Sequence, residues 1–170
     1  MIDDRGLRDG FGALFRQSYA ELCSFVAQYV RSRAVAEELV QDLFLRLWER
    51  RESWQDAMPS RSYLYQAARN RAFDHLKRQR VAERQSFELV EEETNPPEAE
   101  VALAADDLRA ALHRAIEQLP PRTREVFVLS RGHGLTYPQI AEALTISVKT
   151  VETQMTRAFR ILRSQLAAYL

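Results

Sequence analysis

The sequence has little of several residue types, and each shortage excludes a class of protein. Cys23 is the only cysteine in 170 residues, so no internal disulfide and no thiolate metal cage can form within one chain. Glycine and proline number only five and six, which favours helices over a turn-rich all-β fold. No uncharged apolar run approaches the ~18–20 residues that cross a bilayer, and the acidic first ten residues do not resemble an export signal. We therefore expect a soluble, cytoplasmic protein.

What is present is an uneven distribution of charge. Apolar residues make up 46% and charged residues 28%, as in ordinary globular proteins, and the net charge is zero. Residues 1–85 nevertheless hold 15 basic and 12 acidic residues, and residues 108–170 hold 9 and 4. Residues 86–107 hold eight acids, no base and the turn sequence Asn95-Pro96-Pro97. We predict an all-α protein with two small helical domains, 1–85 and 108–170, joined by a flexible acidic linker, 86–107.

The first domain is predicted to begin with two amphipathic helices. Apolar residues recur at spacings of three and four from Phe11 to Tyr29, and again from Val35 to Trp48 after Ser32, a suitable helix cap. Phe44 and Leu45 widen the second apolar stripe beyond one face, so this helix needs two neighbours. Its outward residues form a mixed polar and apolar surface suited to docking a partner, namely Gln41, Asp42, Leu45 and Arg46.

A third, strongly basic helix is predicted from about Arg61 to Arg84, after a loop that contains Pro59 and the capping residue Ser60. One face of it combines Tyr63, Asn70, Asp74 and Lys77. Rings stack on unpaired bases, amides read base edges and cations neutralise phosphates, so this face has the groups of a single-strand binder. A solvated basic helix with its tyrosines half in the core explains the same pattern, and both interpretations stay open at this point.

The second domain is predicted to contain four helices. The first begins at Asp106 or Asp107, carries an apolar stripe that includes Leu108 and Leu112, and stops at Pro120-Pro121. A short helix around Val126 ends at Gly132 or Gly134. The last two helices form a helix-turn-helix, because Thr136 and Gln139 fit a capping box and Ser147 caps a helix whose inward residues run from Val151 through Phe159 to Leu166.

The last helix of this motif carries polar residues on its outer side that can reach base edges and phosphates in a major groove. They are Lys149, Thr150, Glu152, Thr153, Arg157 and Arg160. The turn normally has glycine at a left-handed position, where this chain has Thr145. Either the turn closes differently or the domain is slightly less stable. A helical hairpin that only packs is the alternative to a DNA-binding motif.

Three strings of residues, in this order, resemble bacterial sigma factors of the extracytoplasmic function (ECF) class in the sigma-70 family. Residues 36–48 resemble the polymerase-docking segment, region 2.2. Residues 62–78 resemble the helix of regions 2.3 and 2.4, which melts and reads the minus-ten element. Residues 119–127 and the helix-turn-helix resemble region 4. The likeness spans about residues 9–84 and 106–167.

The resemblance implies roles at matching positions. The polymerase-binding residues would be Gln41, Asp42, Leu45 and Leu47, against the clamp helices of the β′ subunit. The minus-ten residues would be Trp54, Ser60, Arg61, Tyr63, Asn70, Asp74, Lys77 and Arg78. The minus-thirty-five residues would be Arg122, Arg124, Lys149, Thr150, Thr153 and Arg157.

The implied partners are core RNA polymerase, through its β′ clamp helices and β flap, and promoter DNA. An anti-sigma factor that holds the chain at the inner membrane is a further implied partner, with no direct membrane insertion. The resemblance also gives the acidic linker a possible function, because a run of carboxylates can mimic RNA in a positively lined channel of the polymerase. A merely solubilising tether is the other interpretation.

Two other classes of function fit parts of the sequence. A stand-alone helix-turn-helix regulator with a dimerising or sensing helical domain would bind a palindrome as a dimer, whereas a sigma factor bridges two unlike elements as a monomer. An enzyme has little support, since His75, His113 and His133 lack metal-ligand spacing and no nucleophile motif is present. Cys23 lies on an apolar helix face, as expected of a packing residue. We expect no catalytic residue, no metal and no cofactor.

Overall fold

A computed structural model describes residues 4–54, 57–85 and 105–169. The described residues form α-helices with short 3₁₀ and π segments, which confirms the all-α fold class. The α-helices are α1 (Asp4–Val30), α2 (Arg33–Glu49), α3 (Arg61–Gln85), α4 (Ala105–Glu117), α5 (Pro121–Phe127), α6 (Tyr137–Leu144) and α7 (Val148–Gln165). The predicted linker falls almost wholly outside the described residues, and its proposed extension and RNA mimicry are therefore not addressed by the structure.

The chain divides into two compact units, and the first contains α1, α2 and α3. Each of these three helices packs against the other two. The Oγ of Ser32 accepts a hydrogen bond from the Val35 amide at 3.3 Å, so the predicted cap of α2 is present. The Oγ of Ser60 does the same for the Tyr63 amide at the start of α3, at 3.1 Å. Such caps satisfy amides that have no partner within the first turn.

Aromatic rings fill much of the interior of this unit. Phe44 of α2 packs edge-on against Phe15 of α1, with ring centroids 4.9 Å apart. Phe25 of α1 packs against Tyr65 of α3 at 5.0 Å. Edge-to-face pairs of this kind add to the free energy gained by burying the rings. The two neighbours of α2 explain only part of its widened apolar stripe. Phe44 is buried, but Leu45 stays exposed.

The segment before α3 packs closely on α1. A Cβ added at Gly10 would lie 2.6 Å from the Met58 methyl carbon, so glycine permits this approach. The contact fixes the entry of α3 against α1, and α3 carries most of the candidate minus-ten residues.

The second unit contains α4 to α7, with a π-helical turn, Val128–Gly132, directly after α5. Helix α7 packs against α4, α5 and α6, so it is the centre of this unit. Its core is mainly aliphatic and includes Leu129, Ile140, Val151, Met155 and Leu162. Gly134 has a φ of +66°, which a glycine adopts without strain, and it marks the end of the helical segment at one of the two predicted positions.

Some predicted packing in the second unit is wrong. Phe159 was expected to point inward but is 41% exposed, with the Arg131 guanidinium 5.4 Å from its ring centroid. Leu108 and Leu112, expected on the buried stripe of α4, are also exposed. The reason is that α4 contacts mainly α7, so only the residues nearest that helix are covered. Within the described residues, we find no helix of the length and apolarity that a membrane crossing requires.

Candidate nucleic-acid interface

An open groove of 890 Å³ lies along α2 and α3 of the first unit. Its lining combines apolar side chains with cations and two groups able to hydrogen-bond to bases. The polar and aromatic lining residues are Arg46, Arg50, Tyr63, Asn70, Arg71, Asp74, Lys77 and Arg78. Such a mixture of an aromatic ring, an amide and several cations suits an unpaired nucleic acid strand.

Five of the predicted minus-ten residues meet in this groove: Tyr63, Asn70, Asp74, Lys77 and Arg78. All five are exposed, and the ring of Tyr63 is 44% exposed. They meet because spacings of three, four and seven residues return to one side of an α-helix. The structure therefore places a stacking ring, an amide and two cations along a single path.

Of the other three predicted minus-ten residues, Ser60 and Arg61 lie outside the groove lining. Trp54 ends a short 3₁₀ helix, Arg51–Trp54, and Ser60 caps α3. Arg61 donates to the Glu21 carboxylate at 2.8 Å, which ties the start of α3 to α1. Ser60 and Arg61 thus have structural contacts within the free chain.

Tyr65 completes this contact beneath the first turn of α3. Its hydroxyl donates to the same Glu21 carboxylate at 3.2 Å. Burial of the ring, together with the nearby Glu21 charge, raises the pKa of Tyr65 well above its ordinary value. The hydroxyl therefore remains a hydrogen-bond donor throughout the neutral pH range.

The predicted docking residues of α2 differ in how much surface they present. Leu45 is 56% exposed, and Gln41 is also exposed while its amide nitrogen donates to the Tyr19 hydroxyl at 3.1 Å. Leu47 is only 5% exposed, so it supports the helix from the core side and adds little to the surface. Gln41, Asp42 and Leu45 form the accessible part of the predicted docking set.

Asp42 is held by two cations. Its Oδ2 accepts from Nη1 of Arg71 on α3 and lies 3.3 Å from Nε of Arg46 on α2. The Arg71 side chain is 22% exposed, so this pair is partly shielded from water. The pair links the predicted docking helix to the helix that carries the groove residues.

The second unit contains the predicted helix-turn-helix, formed by α6, a short turn and α7. Thr136 and Gln139 make the reciprocal capping box, with the Thr136 amide donating to the Gln139 side chain at 2.9 Å. Ser147 caps α7 by accepting from the Thr150 amide at 3.0 Å. Thr145 adopts the left-handed conformation with φ 55° and ψ 49°, so the turn closes in the usual way despite the β-branched side chain.

The outer side of α7 is exposed to solvent. Lys149, Thr150, Thr153 and Arg157 are all exposed. The Thr153 hydroxyl donates to the Lys149 carbonyl at 2.9 Å, which fixes its rotamer and leaves the oxygen free to accept from a base. Among residues 105–169, neither Lys149 nor Arg157 forms an ion pair, so both cations are ready for phosphates or base edges.

Arg122 and Arg124 lie on α5, the helix that packs against α7. Arg122 is exposed, and Arg124 donates to the Glu117 carbonyl at 3.4 Å. Between them, the wholly buried Thr123 donates its hydroxyl to Gln154 of α7 at 2.7 Å. This buried hydrogen bond fixes α5 against α7.

Comparison with known proteins assigns both units to one family. The sequence models for Sigma-70 region 2 and Sigma-70 region 4 match residues 14–81 and 109–162. The RNA polymerase sigma factor CarQ of Myxococcus xanthus is 30% identical over 161 residues, which are 95% of this chain and 91% of that protein. The chain is an ECF sigma factor of the sigma-70 family.

A second relative agrees with this assignment, and a solved structure has a similar fold. The ECF sigma factor SigL of Mycobacterium tuberculosis is 31% identical over 157 residues, covering 89% of this chain and 85% of the relative. The fold is similar to that of the sigma factor RpoE of Bartonella quintana, solved in complex with the anti-sigma factor NepR. The TM-score is 0.66 at 21% identity, with 93% and 97% of the two chains covered.

Membership in the family gives the sigma factor its general function, which is to direct RNA polymerase to promoters for transcription initiation. The groove lies within the region 2 match and the helix-turn-helix within the region 4 match. The family is not enzymatic, as the sequence analysis expected. The region 2 match decides against a stand-alone helix-turn-helix regulator.

Sequence reasoning missed part of the groove of this sigma factor. Arg50 and Arg71 line it but were not among the predicted site residues. Arg71 lies one position after Asn70 and four after Ala67, so the helical period alone places it on the groove side. Arg50 follows α2 directly, and only the tertiary packing brings it to the groove.

The remaining candidate residues of the sigma factor have ordinary surroundings. Within residues 4–54, 57–85 and 105–169, no cluster of three metal-ligating side chains occurs. Cys23 is buried, and desolvation raises the pKa of its thiol, which fits a packing residue. His113 lies 3.6 Å from Glu117 of the same helix on the surface.

Proposed function

We propose that this sigma factor captures an unpaired base of the minus-ten element in the groove of the first unit and reads the minus-thirty-five element with α7. The observation that carries the proposal is the meeting of Tyr63, Asn70, Asp74, Lys77 and Arg78 in one groove. In this proposal the first unit binds polymerase, and the second unit binds duplex DNA upstream. A monomer would then bridge two unlike elements.

The chemistry of base capture follows from the side chains. Asn70 offers both an acceptor and donors, and Asp74 offers acceptors, so together they can pair with the edge of an extruded base. The exposed ring of Tyr63 offers a stacking surface. Lys77 and Arg78 follow along the groove and suit the phosphates of the same strand.

Magnitudes limit what the groove can do alone. Extruding one base costs a few kcal/mol, and stacking on an aromatic side chain recovers about 1–3 kcal/mol. Contacts in the groove therefore offset one flipped base but not a transcription bubble, in which each stacking step is worth roughly 1.4 kcal/mol. The rest of the free energy has to come from polymerase, so the isolated chain should melt no promoter.

Polymerase docking is assigned to α2. Leu45 supplies an exposed apolar contact, and Gln41 and Asp42 supply polar ones beside it. An exposed leucine between polar side chains is typical of a protein interface. The partner proposed from the family resemblance is the clamp helices of β′, with the β flap as the partner of the second unit.

An anti-sigma factor is the proposed inhibitory partner, and the cytoplasm is the proposed place of action. The Bartonella quintana neighbour was solved with such a partner. The exposed Leu45 of α2 gives an inhibitor a target, since covering it would also block polymerase.

Reconstitution with core RNA polymerase tests the proposal. Sheared genomic DNA from the source bacterium serves as template, and sequencing of transcript 5′ ends identifies start sites that appear only when the chain is added. We expect these sites to share two upstream elements. One lies about one turn of DNA before the start, and the other lies about three and a half turns before it. Loss of all new start sites with active core enzyme would contradict the proposed function.

Variants then assign the two elements. Asn70→Ala should relax the preference at one minus-ten position, while Arg157→Ala should relax the minus-thirty-five preference and leave the minus-ten preference unchanged. Permanganate probes unpaired thymines in the same templates. Reactivity with the isolated chain, without polymerase, would overturn the limit placed on melting above.

A further inference from the structure

One carboxylate holds two of the cations that line the groove. The lining has five cations, Arg46, Arg50, Arg71, Lys77 and Arg78, and one carboxylate, Asp74. Asp42 adds a second carboxylate behind the lining, and its Oδ2 contacts both Arg46 and Arg71. Its single negative charge is thereby shared between two of the five cations, which lowers the positive charge of the groove by one.

We propose that Asp42 is a charge clamp that masks Arg46 and Arg71 in the free chain and releases them to promoter-strand phosphates when polymerase engages Asp42. The proposal rests on the docking function assigned to α2 above. It makes Arg71 a phosphate-binding residue whose availability depends on what Asp42 contacts.

The position of the ion pair supports the clamp. Asp42 follows Gln41 and precedes Leu45 by three residues, so a partner that covers these residues also reaches Asp42. The Arg71 guanidinium is only partly exposed, and partly buried pairs are screened by salt less than surface pairs. A phosphate that enters the groove of the free chain therefore has to compete with Asp42 mainly for the Arg71 guanidinium, because the Arg46 side chain is 60% exposed and its pair with Asp42 is weaker.

The clamp involves cations of two helices, because Asp42 contacts one arginine on each. Arg46 lies one turn after Asp42 on α2, and Arg71 comes from α3. A cation of the partner that drew Asp42 away would leave the guanidinium groups of both helices without this carboxylate at once. Docking and strand binding would then strengthen each other, as linkage requires for two coupled binding events.

The first test uses the isolated chain and a fluorescent single-stranded oligonucleotide. Asp42→Asn keeps the size of the side chain and removes its charge. We expect affinity to rise about threefold to tenfold at low salt, with a steeper dependence on salt by about 0.7 in log–log slope, because the change frees one net positive charge and each neutralised phosphate of a single strand contributes about 0.7. Circular dichroism confirms that the variant is folded.

The matched control is Glu38→Gln, one turn earlier on α2. Glu38 is exposed, and in the described part of the chain it has no ion-pair partner. This change alters the net charge by the same amount, so it separates the clamp from a general increase in positive charge. An equal rise in affinity for Glu38→Gln and Asp42→Asn would overturn the proposal.

A second set of variants isolates Arg71. In the free chain with Asp42 intact, Arg71→Gln should change oligonucleotide affinity less than twofold because the guanidinium is masked. In the Asp42→Asn background, the same change should remove at least half of the gain in log affinity. A large loss in the wild-type background, or no loss in the Asp42→Asn background, would contradict the clamp.

The holoenzyme separates failure of the clamp from failure of the proposed function. With core polymerase, Arg71→Gln should lower the salt resistance of the promoter complex, whereas Arg80→Gln, an exposed α3 cation outside the groove lining, should not. Normal initiation with unaltered salt resistance for Arg71→Gln would overturn the clamp alone. Failure of the wild-type chain to direct initiation would overturn the proposed function.

Discussion

In the first unit, two cations of the groove contact one acid of α2, whereas the cations of α7 in the second unit extend into solvent. Arg71 of α3 and Arg46 of α2 both contact Asp42. Lys149 and Arg157 have no such ion pairs among the described residues of the second unit. If Asp42 acts as the proposed clamp, the first interface exchanges an internal partner before it binds, while the second has no ion pair of Lys149 or Arg157 to break.

The two units also differ in their cores. The first contains a network of edge-to-face aromatic rings, and the second is filled mainly by aliphatic side chains around α7. Both cores bury the apolar faces of helices. Edge-to-face ring pairs have a preferred geometry, so the aromatic core also fixes the relative orientation of the helices. This suits the first unit, where the groove depends on the exact placement of α2 against α3.

The largest expected effect comes from truncating each core separately. Phe25→Ala should lower the free energy of unfolding of the first unit by about 3–5 kcal/mol, and Leu129→Ala that of the second by about 2–5 kcal/mol, because both side chains are fully buried. Urea unfolding followed by circular dichroism measures both, and fluorescence of Trp48 and Trp54 reports the first unit alone. Leu45→Ala is the exposed control. A single transition that shifts equally for both variants would show that the units do not unfold separately.

Removing a cation that has no internal partner is expected to have the next largest effect. Arg157→Ala should cost about 1–3 kcal/mol of promoter binding if its guanidinium reads a base edge. No ion pair has to break first, so the full loss should be visible by fluorescence anisotropy of the holoenzyme on promoter DNA. Lys149→Ala, if it contacts phosphate, should instead reduce the salt slope by about one unit. Unchanged promoter binding for both variants would contradict the claim that the unpaired cations of α7 bind DNA.

A smaller effect is expected at the Glu21 contact of the first unit. Tyr65→Phe removes the hydrogen bond to Glu21 and should cost about 0.5–1.5 kcal/mol of stability at neutral pH. The pKa of Tyr65 is raised above its unfolded value of 10.0, so the folded state retains the proton longer. The associated stability is present below pH 10 and is lost as the pH rises beyond it.

Denaturant unfolding between pH 8 and pH 11 measures this dependence. The wild-type chain should lose stability more steeply above pH 10 than Tyr65→Phe does, because the variant lacks the titrating hydroxyl. Tyr63→Phe, at an exposed position on the same helix, is the control. Identical slopes for wild type and Tyr65→Phe would contradict the assignment.

The smallest expected effect concerns the turn of the second unit. Thr145→Gly removes the steric cost of a left-handed residue, about 1–2 kcal/mol, but adds backbone entropy to the unfolded chain of roughly 0.5–1 kcal/mol. A net gain of about 0.5–1 kcal/mol should appear in thermal unfolding. Gly134→Ala, at a φ of +66°, should change stability in the opposite direction. A loss of stability in Thr145→Gly would mean that the threonine contributes favourable contacts that exceed its strain.

Much of the local structure was predictable from the sequence because its causes are local. The caps at Ser32, Ser60 and Ser147 and the capping box at Thr136 involve residues within three positions of each other. The helical period alone placed Tyr63, Asn70, Asp74 and Lys77 on one side of α3. The solvent exposure of Phe159 was not predictable, because it depends on which side of α7 its neighbours cover.

By itself the sequence determined the helices, their caps, the separation of charge along the chain and the family, since each depends on residue type and spacing. Only the tertiary structure decided that Leu47 lies in the core, that Arg50 reaches the groove and that Asp42 holds Arg46 and Arg71 together. The physical reason is that an ion pair across two helices depends on their packing distance and rotation. Neither quantity is encoded in the periodicity of a single helix.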